Sequence, residues 1–111
     1  MKQNNTKYFL LPLIMLFGMS QSQAVEGKKV FETYCWGCHH QTAVAFGPPF
    51  REIASKRSAE EIQAMITDPE GVSKVLGYKR NAMPPFKLNK EELDAITTYI
   101  LSYKPAQKEP K

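Results

Sequence analysis

Apolar residues recur at helical spacing in several parts of the chain, and no useful stretch alternates between apolar and polar residues as a β-strand does. The first part, residues 25–38, places on one helical face Gly27, Val30, Phe31, Tyr34 and Cys38. The last part begins at a capping box of Asn89 and Glu92, and its apolar stripe consists of Leu93, Ile96, Ile100 and Tyr103. Both patterns predict amphipathic helices with one buried face.

A capping box of Ser58 and Glu61 predicts the start of a further helix, which runs to about Thr67. The helix ends at a group of helix-breaking residues, Asp68, Pro69 and Gly71. Two segments that contain Gly and Pro, residues 41–50 and 72–88, show no sustained period and are predicted to be loops. The sequence therefore predicts an all-α fold of three to four short helices joined by long loops.

The N-terminal residues have the layout of a secretory signal peptide. Lys2 and Lys7 precede an apolar run at residues 8–19, which is shorter than the roughly twenty residues that a membrane-spanning helix needs. Ser22 and Ala24 are small residues at the positions that a signal peptidase requires. We therefore expect cleavage after Ala24, with an uncut N-terminal anchor as the alternative.

Cleavage at that point divides the chain into a signal peptide, residues 1–24, and one domain, residues 25–111, located in the periplasm or secreted. Loss of Lys2 and Lys7 lowers the net charge of +4 by two. So small a charge argues against nucleic-acid binding, which needs a dense basic stripe. A domain of this size also has difficulty burying enough apolar surface without a disulfide, a metal or a cofactor.

The chemically informative motif is Cys-Trp-Gly-Cys-His at residues 35–39, a C-x-x-C-H run typical of c-type haem attachment. Residues three apart on a helical turn face the same side, so Cys35 and Cys38 can each form a thioether with a haem vinyl group, and His39 can bind the iron. The alternatives are a thioredoxin-like redox pair, a structural disulfide and half of a zinc site. The chain lacks the βαβ pattern of the first and enough further ligands for the last.

With this motif, the domain resembles the class I cytochromes c from Gly27 to Tyr103. The matching segments are a G-x-x-x-F stretch at residues 27–31, a G-P-x-L-like loop at 47–50, an M-P-P loop at 83–85 and the aromatic-aliphatic pair Tyr99 and Ile100. The resemblance implies a cytochrome c fold wrapped around one covalent haem c. It also implies that the Pro48 carbonyl accepts a hydrogen bond from His39, and that the methionine of the M-P-P loop is the distal ligand.

Three residues of the domain are candidates for the second axial ligand of the iron: Met83, Met65 and His40. Met83 precedes two prolines, which hold the backbone extended so that the flexible thioether can reach a haem pocket. Met65 has isoleucines at helical spacing around it, so core filling explains it better. His40 lies about 100° further around the helix than His39 and cannot readily reach the opposite haem face. The predicted metal ligands are therefore His39 and Met83.

Iron with both axial positions taken has no open site for a substrate, so electron transfer is the expected function and no enzymatic activity is expected. We expect a monomeric electron carrier of a respiratory chain that exchanges electrons with a dehydrogenase, a cytochrome complex or a terminal oxidase. One alternative is a cytochrome subunit bound tightly to a dehydrogenase or oxidase. Another is a haem whose sixth site opens for catalysis or gas sensing.

Overall fold

The computed structural model describes residues 24–106, within which every regular element is helical. The elements are α1 Gly27–Val30, the π-helix Phe31–Cys35, α2 Phe50–Lys56, α3 Ala59–Thr67, α4 Pro69–Leu76 and α5 Lys90–Leu101. The all-α prediction is confirmed. Within the described part of the chain, no helix has both the length and the apolar character needed to span a bilayer. The proposed signal peptide lies outside the described residues, apart from Ala24.

Two helices were not predicted from the sequence. The expected loop over residues 72–88 is wrong as far as Leu76, because α4 occupies Pro69–Leu76. Asp68 caps α4 by accepting a hydrogen bond from the Gly71 backbone N–H, and Pro69 provides a first helical residue that needs no partner for its nitrogen. The residues that end one helix therefore start the next. The other helix, α2, begins after Pro49.

The first predicted helix also differs from a regular α-helix. Its second half is a π-helix, in which the Trp36 backbone N–H donates to the Phe31 carbonyl at 2.9 Å. The wider turn changes which side chains face the core: Phe31 is buried and Cys35 packs against the core, whereas Tyr34 is 43 % exposed. The expectation that Tyr34 belongs to the buried stripe is therefore wrong.

The crossing of α1 and α5 forms the centre of the fold. A Cβ atom on Gly27 would lie 2.6 Å from the Tyr99 Cβ, so only glycine allows this approach. Phe31 from the π-helix and Ile96 from α5 are almost completely buried, at 1 % and 0 % exposed. Burial of such side chains contributes roughly 1.5–3 kcal/mol each, which fixes the start of the C-x-x-C-H segment relative to α5.

Both predicted capping boxes are present, at Ser58 with Glu61 and at Asn89 with Glu92. The second begins α5, and the first begins α3, whose Ile62 and Ile66 are buried. Between α4 and α5 lies a long segment without regular secondary structure, residues 78–89, that carries Met83.

Candidate functional site

The two cysteines lie at the end of the π-helix and in the turn that follows it. The backbone N–H groups of Cys38 and His39 both donate to the Cys35 carbonyl, at 3.1 and 2.9 Å. Cys35 is half-buried and Cys38 is exposed, and no disulfide joins them. The motif therefore presents two thiols from one compact turn.

Burial, with a smaller contribution from Cys38, raises the pKa of Cys35 to about 11. A redox-active cysteine of a thioredoxin-like pair has a lowered pKa, because the thiolate is its reactive form. Among residues 24–106, moreover, no three His, Cys, Asp or Glu side chains cluster in a way that could hold a metal ion. The burial of Cys35 therefore disfavours the thioredoxin-like interpretation.

His39 is held by its own loop in one orientation. Its Nδ1 lies 2.7 Å from the carbonyl oxygen of Pro48. Because a carbonyl can only accept, Nδ1 must carry the proton, and this tautomer leaves the Nε2 lone pair available to a metal. The bond has the arrangement that the resemblance implied for a haem-binding histidine.

Two further residues pack on the His39 ring. A Cβ on Gly47 would lie 2.6 Å from His39 Cε1, so glycine lets the loop backbone pass directly over the imidazole. Phe50, the first residue of α2, stacks on the His39 imidazole with ring centroids 5.8 Å apart and an interplanar angle of 27°. Phe50 is 1 % exposed and also contacts Phe31 edge to face, so the histidine rests against the main core.

His40, unlike His39, uses its Nδ1 to accept hydrogen bonds from the backbone. Its Nδ1 accepts hydrogen bonds from the backbone N–H groups of Thr42 and Ala43, at 3.0 and 2.9 Å. The imidazole thereby closes a turn at the surface.

Met83 lies in the long segment after α4 and is half-buried against the core cluster, which Cys35 also contacts. The Asn81 side chain bonds both backbone groups of Met83: Oδ1 accepts from its N–H and Nδ2 donates to its C=O, each at 3.1 Å. Phe86 anchors the far end of the segment, because its N–H donates to the Ile66 carbonyl at 2.9 Å.

Met65, the competing methionine, is on α3 between Ile62 and Ile66, both buried. The Ser73 hydroxyl of α4 lies 3.9 Å from its sulfur, close enough for a weak hydrogen bond. The half-buried Met65 side chain thus places its sulfur beside α4.

The structure adds Gly47, Phe50 and Asn81 to the residues singled out as functional from the sequence. Gly47 and Phe50 were noted only for their likeness to a family loop, which gave no sign of their contacts with His39. The Asn81 contact had a local signal, because asparagine side chains commonly bond the backbone two residues further on.

The helical fold and a C-x-x-C-H turn with an oriented histidine define a c-type cytochrome. The profile of the Cytochrome c family matches residues 24–104, and the chain belongs to this family. Among solved structures, cytochrome c from Rhodothermus marinus is similar: it is 26 % identical, with a TM-score of 0.58, over 69 % of this chain and 72 % of that one. No curated protein matched the chain.

Membership of this family implies a covalently bound haem c with its iron, and a role as an electron carrier rather than an enzyme. It also implies that the partners of the chain are redox partners.

Proposed function

We propose that this chain carries one haem c, attached through Cys35 and Cys38 and ligated by His39 and Met83, and that it shuttles single electrons between proteins outside the cytoplasm. The observation that carries the proposal is the Nδ1 hydrogen bond from His39 to Pro48 beside two free thiols. It supports an imidazole that is oriented by its Nδ1 proton and leaves Nε2 as the nitrogen for a metal.

The haem, when bound, supplies an iron that alternates between the ferrous and ferric states. The residues of this chain would set the reduction potential of that iron. A histidine-methionine pair raises the reduction potential, and the apolar surroundings of Met83 among the core residues disfavour the more highly charged ferric form. Two protein ligands would also keep oxygen and small molecules off the iron.

Export is the second part of the proposal. The basic start, short apolar run and small residues before Val25 support a cleaved signal peptide and a mature chain that begins there. A periplasmic location and service in a respiratory chain follow from export combined with electron transfer. An intact mass of the purified protein tests this part: a mass that includes residues 1–24 would indicate a tethered cytochrome instead.

The alternative of a cytochrome subunit held permanently by a larger complex has one observation in its favour. Residues 33–50 contain no Asp, Glu, Lys or Arg, and within them Trp36, Val44 and Phe46 are 69 %, 84 % and 79 % exposed. A bound partner protein would remove such apolar side chains from water. Size-exclusion chromatography of native extract separates the two: a shuttle elutes at the mass of the single chain, and a subunit elutes with its complex.

Covalent attachment is tested by extraction with acidified acetone, which removes haem that is held only by axial ligands. We expect all haem to stay with the wild-type chain. With Cys38→Ala one thioether remains, and with Cys35→Ala/Cys38→Ala the haem should be extracted or absent. Haem that leaves the wild-type chain would refute the proposed site.

A further inference from the structure

The segment that carries Met83 has few hydrogen bonds of its own. Its ends are fixed to the helices, by the Tyr78 N–H to the Ser73 carbonyl and by the Phe86 N–H to the Ile66 carbonyl, both at 2.9 Å. Among the hydrogen bonds of the described chain, none joins the backbone of residues 79–85 to another backbone group. Pro84 and Pro85 have no N–H to offer.

The Asn81 side chain provides hydrogen bonds to a backbone, that of residues 79–85, which has none to other backbone groups. Its side chain bonds the N–H and the C=O of Met83, both at 3.1 Å. Within the described structure these are the only hydrogen bonds made by the backbone of residues 79–85. One side chain therefore fixes both peptide groups that flank the Met83 Cα.

We propose that Asn81 is a positioning residue for Met83. It holds the Met83 backbone in the conformation that keeps the thioether oriented toward the iron. The inference rests on the proposed function, in which Met83 is the sixth ligand. The two bonds restrain the backbone on both sides of the Met83 Cα, so a release of the sulfur in which that backbone turns away from the iron breaks them. Asn81 thereby sets how often the sixth position opens.

Imidazole is a suitable probe of this opening, because it binds ferric haem only where the methionine has left. Its apparent affinity equals its intrinsic affinity multiplied by the fraction of molecules with an open sixth position. Loss of two hydrogen bonds of ordinary net strength should increase that fraction by about tenfold.

The experiment titrates imidazole into the ferric holoprotein and follows the sulfur-to-iron charge-transfer band, which is lost when the thioether leaves. Asn81→Ala should raise the imidazole affinity by about tenfold. Asn81→Asp keeps an acceptor for the Met83 N–H but has no donor for the carbonyl, so its affinity should lie between those of Asn81→Ala and the wild type.

Asn89→Ala is the matched control. Asn89 accepts a hydrogen bond from the Glu92 N–H at 2.8 Å and begins α5, so its loss weakens the fold without touching Met83. We expect this variant to bind imidazole as the wild type does. Equal affinities for Asn81→Ala and Asn89→Ala would overturn the inference, because the effect would then follow general stability.

A different result is expected if Met83 is not the sixth ligand at all. A wild-type protein that lacks the charge-transfer band, or that binds imidazole as tightly as Met83→Ala, would show that Met83 is not the sixth ligand. The inference about Asn81 fails alone when the wild type has the band and Asn81→Ala binds imidazole with unchanged affinity.

Discussion

The loop that holds His39 and the segment that holds Met83 differ in how their backbones are fixed. After His39, the chain is tied back to the motif by the bonds Gly47 N–H to Cys38 C=O at 2.6 Å and Phe50 N–H to His40 C=O at 2.9 Å. The Met83 segment is tied to the helices only at its ends, and within it one asparagine side chain bonds the backbone of Met83. The loop of His39 is thus held by backbone hydrogen bonds close to the ligand, whereas the segment of Met83 is held by backbone hydrogen bonds only at its ends.

The difference extends to what lies behind each side chain. His39 stacks on Phe50, which is 1 % exposed and packs with Phe31 and Tyr99 in the core. Met83 is half-buried at the border of that core. A change at the His39 loop should therefore cost stability, and a change in the Met83 segment should mainly alter ligand exchange.

The largest effect is expected at Gly47. In Gly47→Ala the new Cβ would meet the His39 ring at 2.6 Å, and the loop must move away from the core to relieve the overlap. We expect a loss of about 2–3 kcal/mol in the free energy of unfolding, measured by denaturant titration of the holoprotein. Gly37→Ala is the control, because a Cβ there meets no atom within 4 Å. Equal stability of the two variants would contradict the described contact.

The next effect is expected at Phe50. Phe50→Leu removes the ring that stacks on His39 and leaves part of its volume empty, at a cost of about 1.5 kcal/mol. The same substitution four residues earlier, Phe46→Leu, changes a side chain that is 79 % exposed and should cost less than about 0.5 kcal/mol. Thermal unfolding of both holoproteins measures the difference, and a larger loss for Phe46→Leu would reverse the comparison.

A smaller effect is expected where the Met83 segment begins. The Tyr78 hydroxyl accepts a hydrogen bond from the Arg57 guanidinium at 2.7 Å, and the guanidinium also lies 5.6 Å from the ring centroid. Tyr78→Phe should cost about 0.5 kcal/mol and raise imidazole affinity by about twofold, less than Asn81→Ala, because it loosens only the start of the segment. Tyr34→Phe should change neither quantity, and a tenfold effect of Tyr78→Phe would assign the control of opening to this residue instead.

The smallest effect is a pH dependence at Glu61, whose carboxylate neighbours Arg57. Hydrogen bonding from the Ser58 backbone, with Arg57 as a lesser cause, lowers the pKa of Glu61. A lowered pKa in the folded state means that the stabilisation is present above the ordinary glutamate pKa of about 4.3 and is lost as the pH falls through the lowered value. The stability difference between wild type and Glu61→Gln should shrink over that range. A difference that grows toward acid pH would contradict this assignment.

The sequence predicted the parts of the fold that depend on local signals. The capping boxes at Ser58 and Asn89 began helices where expected, because a cap satisfies backbone groups within a few residues of itself. The α4 helix was not predicted because Asp68 and Pro69 end α3 and also start α4. In the sequence these residues were recognised as helix-breaking, and their ability to begin a helix was overlooked. The π-helix, in which Phe31 is buried and Cys35 packs against the core, had no local signal in the sequence.

For the site, the C-x-x-C-H spacing was enough to propose the haem attachment, and family membership supports it. What the sequence could not supply was the close approach of Gly47 and Phe50 to the His39 ring, which joins parts of the chain through space. The contrast between a fixed histidine loop and a sparsely bonded methionine segment likewise became visible only from the hydrogen bonds.

The most direct measurement is the visible spectrum of the ferric protein for the wild type, Met83→Leu and Met65→Leu. We predict a sulfur-to-iron charge-transfer band in the wild type that disappears in Met83→Leu, whose reduced form then binds carbon monoxide. Met65→Leu should keep the band, because its sulfur lies between α3 and α4 near Ser73. A wild-type spectrum without the band, or a band lost in Met65→Leu and kept in Met83→Leu, would contradict the proposed ligation.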